Sequence, residues 1–411
     1  MADNVRAFAN ANVTYFPYLE LRPGSGKGLI ETLASHSCTV VTDDFPCFFL
    51  PRMVATVTDR LKVRLEKVDS NGIFPMRGTD RVFLRAQDFR RFLQKNLRPH
   101  LLEFPKQNPM AELQIPRLDR IPRDILMKWP SADVVEIAKH PGTLTEFAID
   151  HSVGITDVRG GSTSATTRLK HFCKGRILRY NKDRNKPEED ATSGFSPYLH
   201  FGNISAHEIF ARLMESEEWT IGDLALKPNG SRNGWWGCSP MLEAFLDQLI
   251  TWREIGFNMC SQRNDYDQYE SLPDWAQQTL QKHAGDPRPY VYSLEEFENA
   301  QTHDDLWNAV QMQLVREGRI HNYLRMLWGK KILHWSESPQ AALRIMIELN
   351  NKYALDGRDP NSYSGIFWTL GRYDRAWGPE REVFDKIRYM TCTNTARKVC
   401  VKNYMERFKP D

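Results

Sequence analysis

With 411 residues, 41% of them hydrophobic and 26% charged, the chain is long enough for two or three domains and too apolar for global disorder. Its 55 Lys and Arg against 52 Asp and Glu leave a net charge of only +3. That excludes a general cationic coat, so a nucleic-acid partner would have to meet a local basic patch. Seven scattered cysteines without a C-x-x-C pair speak against a disulfide framework or a structural zinc site and for a reducing cytosol. No stretch nears the ~20 apolar residues of a membrane span, and Met1-Ala2-Asp3-Asn4 does not open a secretion signal. A soluble, cytoplasmic protein is expected.

Residues 1–95 read as a shortened, Rossmann-like α/β domain. Val13-Thr14-Tyr15-Phe16 and Cys38-Thr39-Val40-Val41-Thr42 are strand-like runs rich in β-branched residues. Helices are expected from Gly28 to His36 and from Phe48 to Leu61, and Val63 to Val68 alternates like a strand. The run Pro23-Gly24-Ser25-Gly26-Lys27-Gly28 has the look of a phosphate loop. However, Leu21 stands where the first glycine belongs and Gly28 where a Ser/Thr would hold magnesium, so it reads as a flexible turn. Residues 96–159 form a linker, in which seven prolines between Pro99 and Pro141 forbid long helices.

From residue 160 to 411 the pattern becomes helical, so the second domain is predominantly α. Thr302-His303-Asp304-Asp305 caps a helix running to Arg316, with Gly318 at its end. A second helix spans about Ile320 to Trp335. Ser338-Pro339 starts a third, with Ala342, Ile345, Met346 and Leu349 at helical spacing. Ten of the eleven tryptophans lie between Trp219 and Trp377. Such a skew suits either a large helical core, where aromatics are common filler, or an aromatic-lined cofactor site.

The run Gly318-Arg319-Ile320-His321-Asn322-Tyr323-Leu324-Arg325-Met326 resembles the signature helix of the photolyase/cryptochrome superfamily. Leu327-Trp328-Gly329-Lys330-Lys331-Ile332-Leu333-His334-Trp335 continues it in a form similar to class II cyclobutane pyrimidine dimer photolyases. The blocks Ser196-Pro197-Tyr198-Leu199-His200-Phe201-Gly202, Tyr290-Val291-Tyr292-Ser293-Leu294-Glu295 and Asp356-Gly357-Arg358-Asp359-Pro360-Asn361 agree with it. Together they cover roughly residues 160–390 in the expected order, while the first 95 residues match poorly.

The resemblance implies FAD in the helical domain. Its pyrophosphate would lie on Thr192-Ser193-Gly194-Phe195-Ser196, where hydroxyls donate and a glycine allows close backbone approach. Taken alone, Ser196-Pro197 is an ordinary helix start. Tyr180 resembles the tyrosine beside the cofactor. Arg325 and Asp356 resemble a buried ion pair next to the ring, where an unpaired arginine would be costly. Asn350 resembles the asparagine facing flavin N5, with Asn361 a second candidate, and Arg253 and Asn322 complete the set. Trp328 and Trp335, two helical turns apart, share a face, and Trp307 lies on the preceding helix, folded back by a short Gly-containing turn. The resemblance makes these three a chain that carries an electron to photoexcited flavin.

Met326, Trp252 and Trp368 match a pocket for a flipped-out dimer, with thioether and indoles stacking on its saturated rings. The family's glutamate in that pocket falls at Gln248, an i,i+4 neighbour of Trp252. Its amide can donate a hydrogen bond but supplies neither an acidic proton nor a charge. Between Lys386 and Lys409, seven basic residues stand against one acid, with Tyr389 and Tyr404 interleaved, a density that suits DNA phosphates.

Photolyases usually open with a fuller α/β domain whose first strand precedes an Asp-Asn motif. The start at Ala2-Asp3-Asn4 lacks that strand and puts an antenna chromophore in doubt. Expected, then, is light-driven splitting of pyrimidine dimers in DNA by FAD on a monomer that needs no metal and no membrane. The alternative is a cryptochrome-like blue-light photoreceptor without repair. Gln248 and the short N-terminal domain favour it; the absence of a long tail after residue 411 does not.

Overall fold

The computed structural model describes all residues except 10, 112, 113, 115, 117, 119 and 411. Two strands, Thr39–Asp43 and Arg64–Val68, pair in parallel with Thr39 opposite Arg64 and Asp43 opposite Val68. The helix Leu50–Thr58 is their crossover, as a parallel pair requires, and the helix Leu29–Ser35 precedes them. Val13–Phe16 is not a strand. A β-branched run needs a free sheet edge, and here the Thr14 hydroxyl donates instead to the Leu118 carbonyl. Phe16 packs on a small core of Leu29, Ile125 and Trp129.

The linker is therefore part of this small core rather than a free spacer. Its helices are short, Arg123–Lys128 and Val134–Lys139, as the prolines dictate. The glycine-rich run at 23–28 is a turn, and the Trp129 indole donates to the Ser25 carbonyl within it at 3.0 Å.

Most buried apolar residues between Ile73 and Leu97 and from Ala165 to Phe408 pack into one large core. Phe83, Phe89, Leu93 and Leu97, on and around the helix Ala86–Asn96, share that core with the helices beyond residue 160. Two polar contacts lock this approach. Arg90 and Asp247 form a buried ion pair at 2.7 Å, and the Glu254 carboxylate accepts from the Ile73 and Phe74 amides at 2.7 and 3.2 Å.

The helices that carry the tryptophans start and stop where short-range chemistry says they should. Asp304 caps Asp305–Glu317 by accepting from the Trp307 amide at 2.9 Å. Gly318 ends it at φ +65°, and a Cβ there would also come within 2.7 Å of the Leu355 side chain. The chain then returns as Asn322–Trp335. Ser338 caps Pro339–Tyr353 through the Ala341 amide at 3.1 Å, and Asp359 caps Pro360–Thr369. Among the described residues, no helix is long and apolar enough to cross a membrane, and all seven cysteines are free.

Candidate functional site

The three tryptophans predicted to act together do lie together. Trp307, Trp328 and Trp335 are fully buried. The Trp307 indole donates to the Trp328 carbonyl at 3.1 Å, and its ring meets that of Trp335 at 6.1 Å between centroids. Trp328 donates to the Gln311 side-chain oxygen at 2.9 Å. Sequence reasoning missed Gln311, although it lies four residues after Trp307 and hence on the same helical face. Beyond Trp335 the aromatic contacts continue to His303 and Tyr292, at 4.8 and 6.0 Å. Indoles are easily oxidised, and the packed pair Trp307 and Trp335 can pass an electron from one ring to the other.

Trp252 and Trp368 also meet, with centroids 5.3 Å apart and planes 37° from parallel. The segment Asp247–Trp252 is not α-helical but one wide π-turn, a local irregularity common at functional sites. The wider turn puts residues five apart in line, and the Trp252 indole donates to the Asp247 carboxylate at 3.2 Å. The i,i+4 alignment of Gln248 with Trp252, expected for an α-helix, therefore gives way to Asp247. Gln248 itself is half-buried. Met326 is buried on the Asn322–Trp335 helix. The Trp368 indole N–H is buried with no acceptor.

The residues proposed to hold FAD form two groups. In the first, Tyr180 stands among the rings of Phe172 and Phe245, at 5.8 and 5.4 Å, and burial pushes its phenol up. Phe195 closes on Phe172 at 5.3 Å. Arg168 donates to the carbonyls of Ser193 and Thr192, at 2.6 and 3.2 Å. Gly194 has φ +68°, and a Cβ there would strike the Arg168 guanidinium. Ser196 opens the next helix.

In the second group, Arg325 and Asp356 do not make the expected ion pair. No ion pair joins these two described residues, and the Arg325 Nε is buried without a partner. Asp356 is buried. Asn350 donates to the Ser362 hydroxyl at 2.6 Å, and the Asn361 backbone amide donates to Asp359 at 2.9 Å. Asn322 is exposed at the first position of its helix. Arg253 is buried, donates to the Asn71 carbonyl and lies over the Phe257 ring at 4.6 Å.

His321 was not singled out by the sequence, although it stands inside the signature run. Both its ring nitrogens are buried without partners, and burial, with the Arg319 charge next, pushes it down to about 4. It is thus a neutral imidazole next to Asn322. His321 and Arg325, one helical turn apart, and Trp368 thus keep buried polar atoms unpaired, a state that a bound polar ligand would relieve, because buried polar groups are otherwise paired.

No family model matches the chain. Its sequence is 33% identical over 377 residues to a protein named deoxyribodipyrimidine photo-lyase from Methanothermobacter thermautotrophicus, covering 92% of this chain and 75% of that one. The chain belongs to the deoxyribodipyrimidine photo-lyase family. Proteins of the same name from Potorous tridactylus and Arabidopsis thaliana are each 34% identical, over 90% and 93% of this chain and 64% and 72% of theirs. Among solved structures, a class III photolyase from Agrobacterium tumefaciens superposes with a TM-score of 0.64 at 16% identity. It covers 99% of this chain and 75% of its own. A Synechocystis cryptochrome gives 0.67 at 13%, with the same coverage. The expected photolyase-like fold, a small α/β region and a helical body, is therefore the observed one.

In this photolyase fold the C-terminal basic segment divides. Arg388 and Arg381 lie over Trp377 and Tyr389, at 5.2 and 5.0 Å, and with Tyr323 and Lys398 they line a cleft of ≈ 300 Å³. Tyr404, expected among the DNA-facing residues, is instead core. Its buried hydroxyl donates to Gln313 at 2.8 Å, and Arg407 nearby pairs with Glu317 at 2.6 Å. The helix Lys402–Arg407 packs against Asp305–Glu317, which decides the matter.

Proposed function

We propose that this photolyase-family protein splits cyclobutane pyrimidine dimers in DNA under near-UV or blue light, in the manner of the class II enzymes, using reduced FAD. When bound, FAD supplies the photochemistry, giving an electron to the lesion and recovering it after the ring opens. Tyr180, the Thr192–Ser196 stretch, Arg253, Asn322, Arg325, Asn350, Asp356 and Asn361 would hold it. Neutral His321 adds a hydrogen-bonding group that carries no charge toward the cofactor.

The observation that carries this reading is the Trp252–Trp368 pair, aimed by a buried ion pair. Trp252 is held through Asp247, which Arg90 neutralises from a helix far away in sequence. Two indoles fixed at an angle suit a bent, stacked dimer flipped from the duplex. Met326 adds a polarisable thioether. The basic cleft around Arg381, Arg388 and Lys398 supplies counter-charges for the DNA backbone.

Repaired dimers per absorbed photon, measured on single-stranded and duplex substrates with the flavin pre-reduced, test the proposal. Pre-reduction separates repair from the Trp328–Trp307–Trp335 chain, whose task is to reduce the cofactor. Wild type should repair. Gln248 favours the second reading, a cryptochrome-like receptor. If pre-reduced wild type repairs nothing and Gln248→Glu gains nothing, that reading replaces ours.

A further inference from the structure

Away from the flavin and dimer residues, three ligand-type side chains converge where the C-terminal loop crosses the end of the helix Asp274–Lys282. His283 ends that helix, and Glu380 and Asp385 come from the loop. The His283 Nε2 lies 3.0 Å from Glu380 and 3.8 Å from Asp385, and one ligand atom from each of the three lies within 4.8 Å of the others. On the far side of the ring, Nδ1 lies 2.5 Å from Asp286. Asp286 also accepts from the Val383 amide at 2.8 Å, so one carboxylate anchors both the imidazole and the loop.

We propose that His283, Glu380 and Asp385 bind a divalent first-row cation, zinc foremost, with Asp286 orienting the histidine. Three features carry this. First, two ligand atoms about 2.1 Å from a tetrahedral ion stand about 3.4 Å apart, and the two histidine distances bracket that value. Second, Asp286 on Nδ1 turns the Nε2 lone pair toward the other two groups, the support that ligating histidines characteristically have. Third, the Asp385 side chain is only 5% exposed, its Oδ1 has no hydrogen-bond partner, and its other oxygen stands too far from Nε2 for a hydrogen bond.

The third feature separates a metal from a proton. A protonated His283 bridging Asp286 and Glu380, with the Lys282 ammonium paired to the same Glu380 oxygen, would still leave the buried Asp385 Oδ1 without a donor, which is costly. A cation between the three satisfies it. The backbone around it is held accordingly, with the non-glycine residues Val383 and Asp385 at φ +64° and +44°. One imidazole with two carboxylates suits zinc or manganese better than calcium. The ion would pin the loop that carries Arg381 and Arg388 onto the helical body, a structural role independent of the dimer chemistry.

The test uses the tag-free, FAD-loaded protein after chelator treatment, titrated calorimetrically with zinc chloride and, separately, with manganese followed by loss of the free-ion EPR signal. Saturable one-to-one binding is expected, with the unfolding midpoint raised by a few degrees. Asp286→Asn should weaken affinity about 10- to 100-fold, and His283→Gln should abolish one-to-one binding. Glu380→Gln, at an exposed position where folding is safe, should weaken it at least about tenfold, by loss of a ligand. Absence of saturable binding in the wild type, or binding unchanged in Glu380→Gln, overturns the proposal.

Discussion

The tryptophans of this protein fall into two regions that use the same side chain differently. Around Trp307 and Trp328 each indole N–H has an acceptor, the Trp328 carbonyl and the Gln311 amide oxygen, and the rings are fully buried. Across the Asp247–Trp252 turn and the Pro360–Thr369 helix, Trp252 is half-buried, and Trp368 keeps a buried N–H without an acceptor. His321 and Arg325 share that unsatisfied state. The indoles of Trp307 and Trp328 are satisfied as they stand, which suits a fixed path for electrons. The second region carries the cost of unpaired polar groups, which a ligand can repay. Binding there should therefore stabilise the protein.

The largest expected effect lies at the support of the second region. Asp247→Ala leaves Arg90 buried without its partner and should cost about 3–5 kcal/mol in urea unfolding. The double variant Arg90→Met with Asp247→Leu should recover most of it. If single and double variants are equally destabilised, the pair does not couple the two segments.

Next comes pH. An unfolded histidine takes up its proton near 6.5, but folded His321 does so only at about 4. Between those values the unfolded state binds more protons, so stability falls on acidification through that window, by roughly 3 kcal/mol in total. His334, also pushed down to about 4 by burial, adds a parallel slope, so the measurement is the difference between wild type and His321→Leu. FAD should reduce that difference if His321 meets the cofactor, and leave it unchanged if it does not.

In the first region, Trp328→Phe keeps the flavin bound but should slow photoreduction of oxidised FAD, because phenylalanine is far harder to oxidise. The variant strands the buried Gln311 oxygen and should cost about 1–3 kcal/mol. Adding Gln311→Leu should return part of this without restoring photoreduction. Photoreduction at the wild-type rate in Trp328→Phe would remove that residue from the electron path. The smallest effect belongs to Gln248. One neutral hydrogen bond is worth about 0.5–1.5 kcal/mol, so Gln248→Leu should lower repair modestly without releasing FAD, and Gln248→Glu should raise it.

Much of this could be read before the fold was known, and the legible parts share a cause. The starts at Asp304 and Ser338 and the stop at Gly318 depend on atoms within one helical turn, so the chain itself dictates them. The grouping of Trp307, Trp328 and Trp335 follows from helical period and one short reversal. Where the expectation failed, the partner lay far away. Val13–Phe16 has strand composition but no edge to join. Tyr404 lies in a basic segment yet is buried by a neighbouring helix. Trp252 is the local exception: the helix widens there and aligns it with Asp247 rather than Gln248. Arg90 and Asp247 are 157 positions apart, and no local pattern marks them as partners. Short-range pattern marked the helices Asp305–Glu317, Asn322–Trp335 and Pro339–Tyr353 with their starts and stops, and the motifs marked the family. Tertiary packing decided which charges meet, which rings face one another and which polar atoms stay unfilled, because a buried group's stability depends on whatever the rest of the chain brings against it.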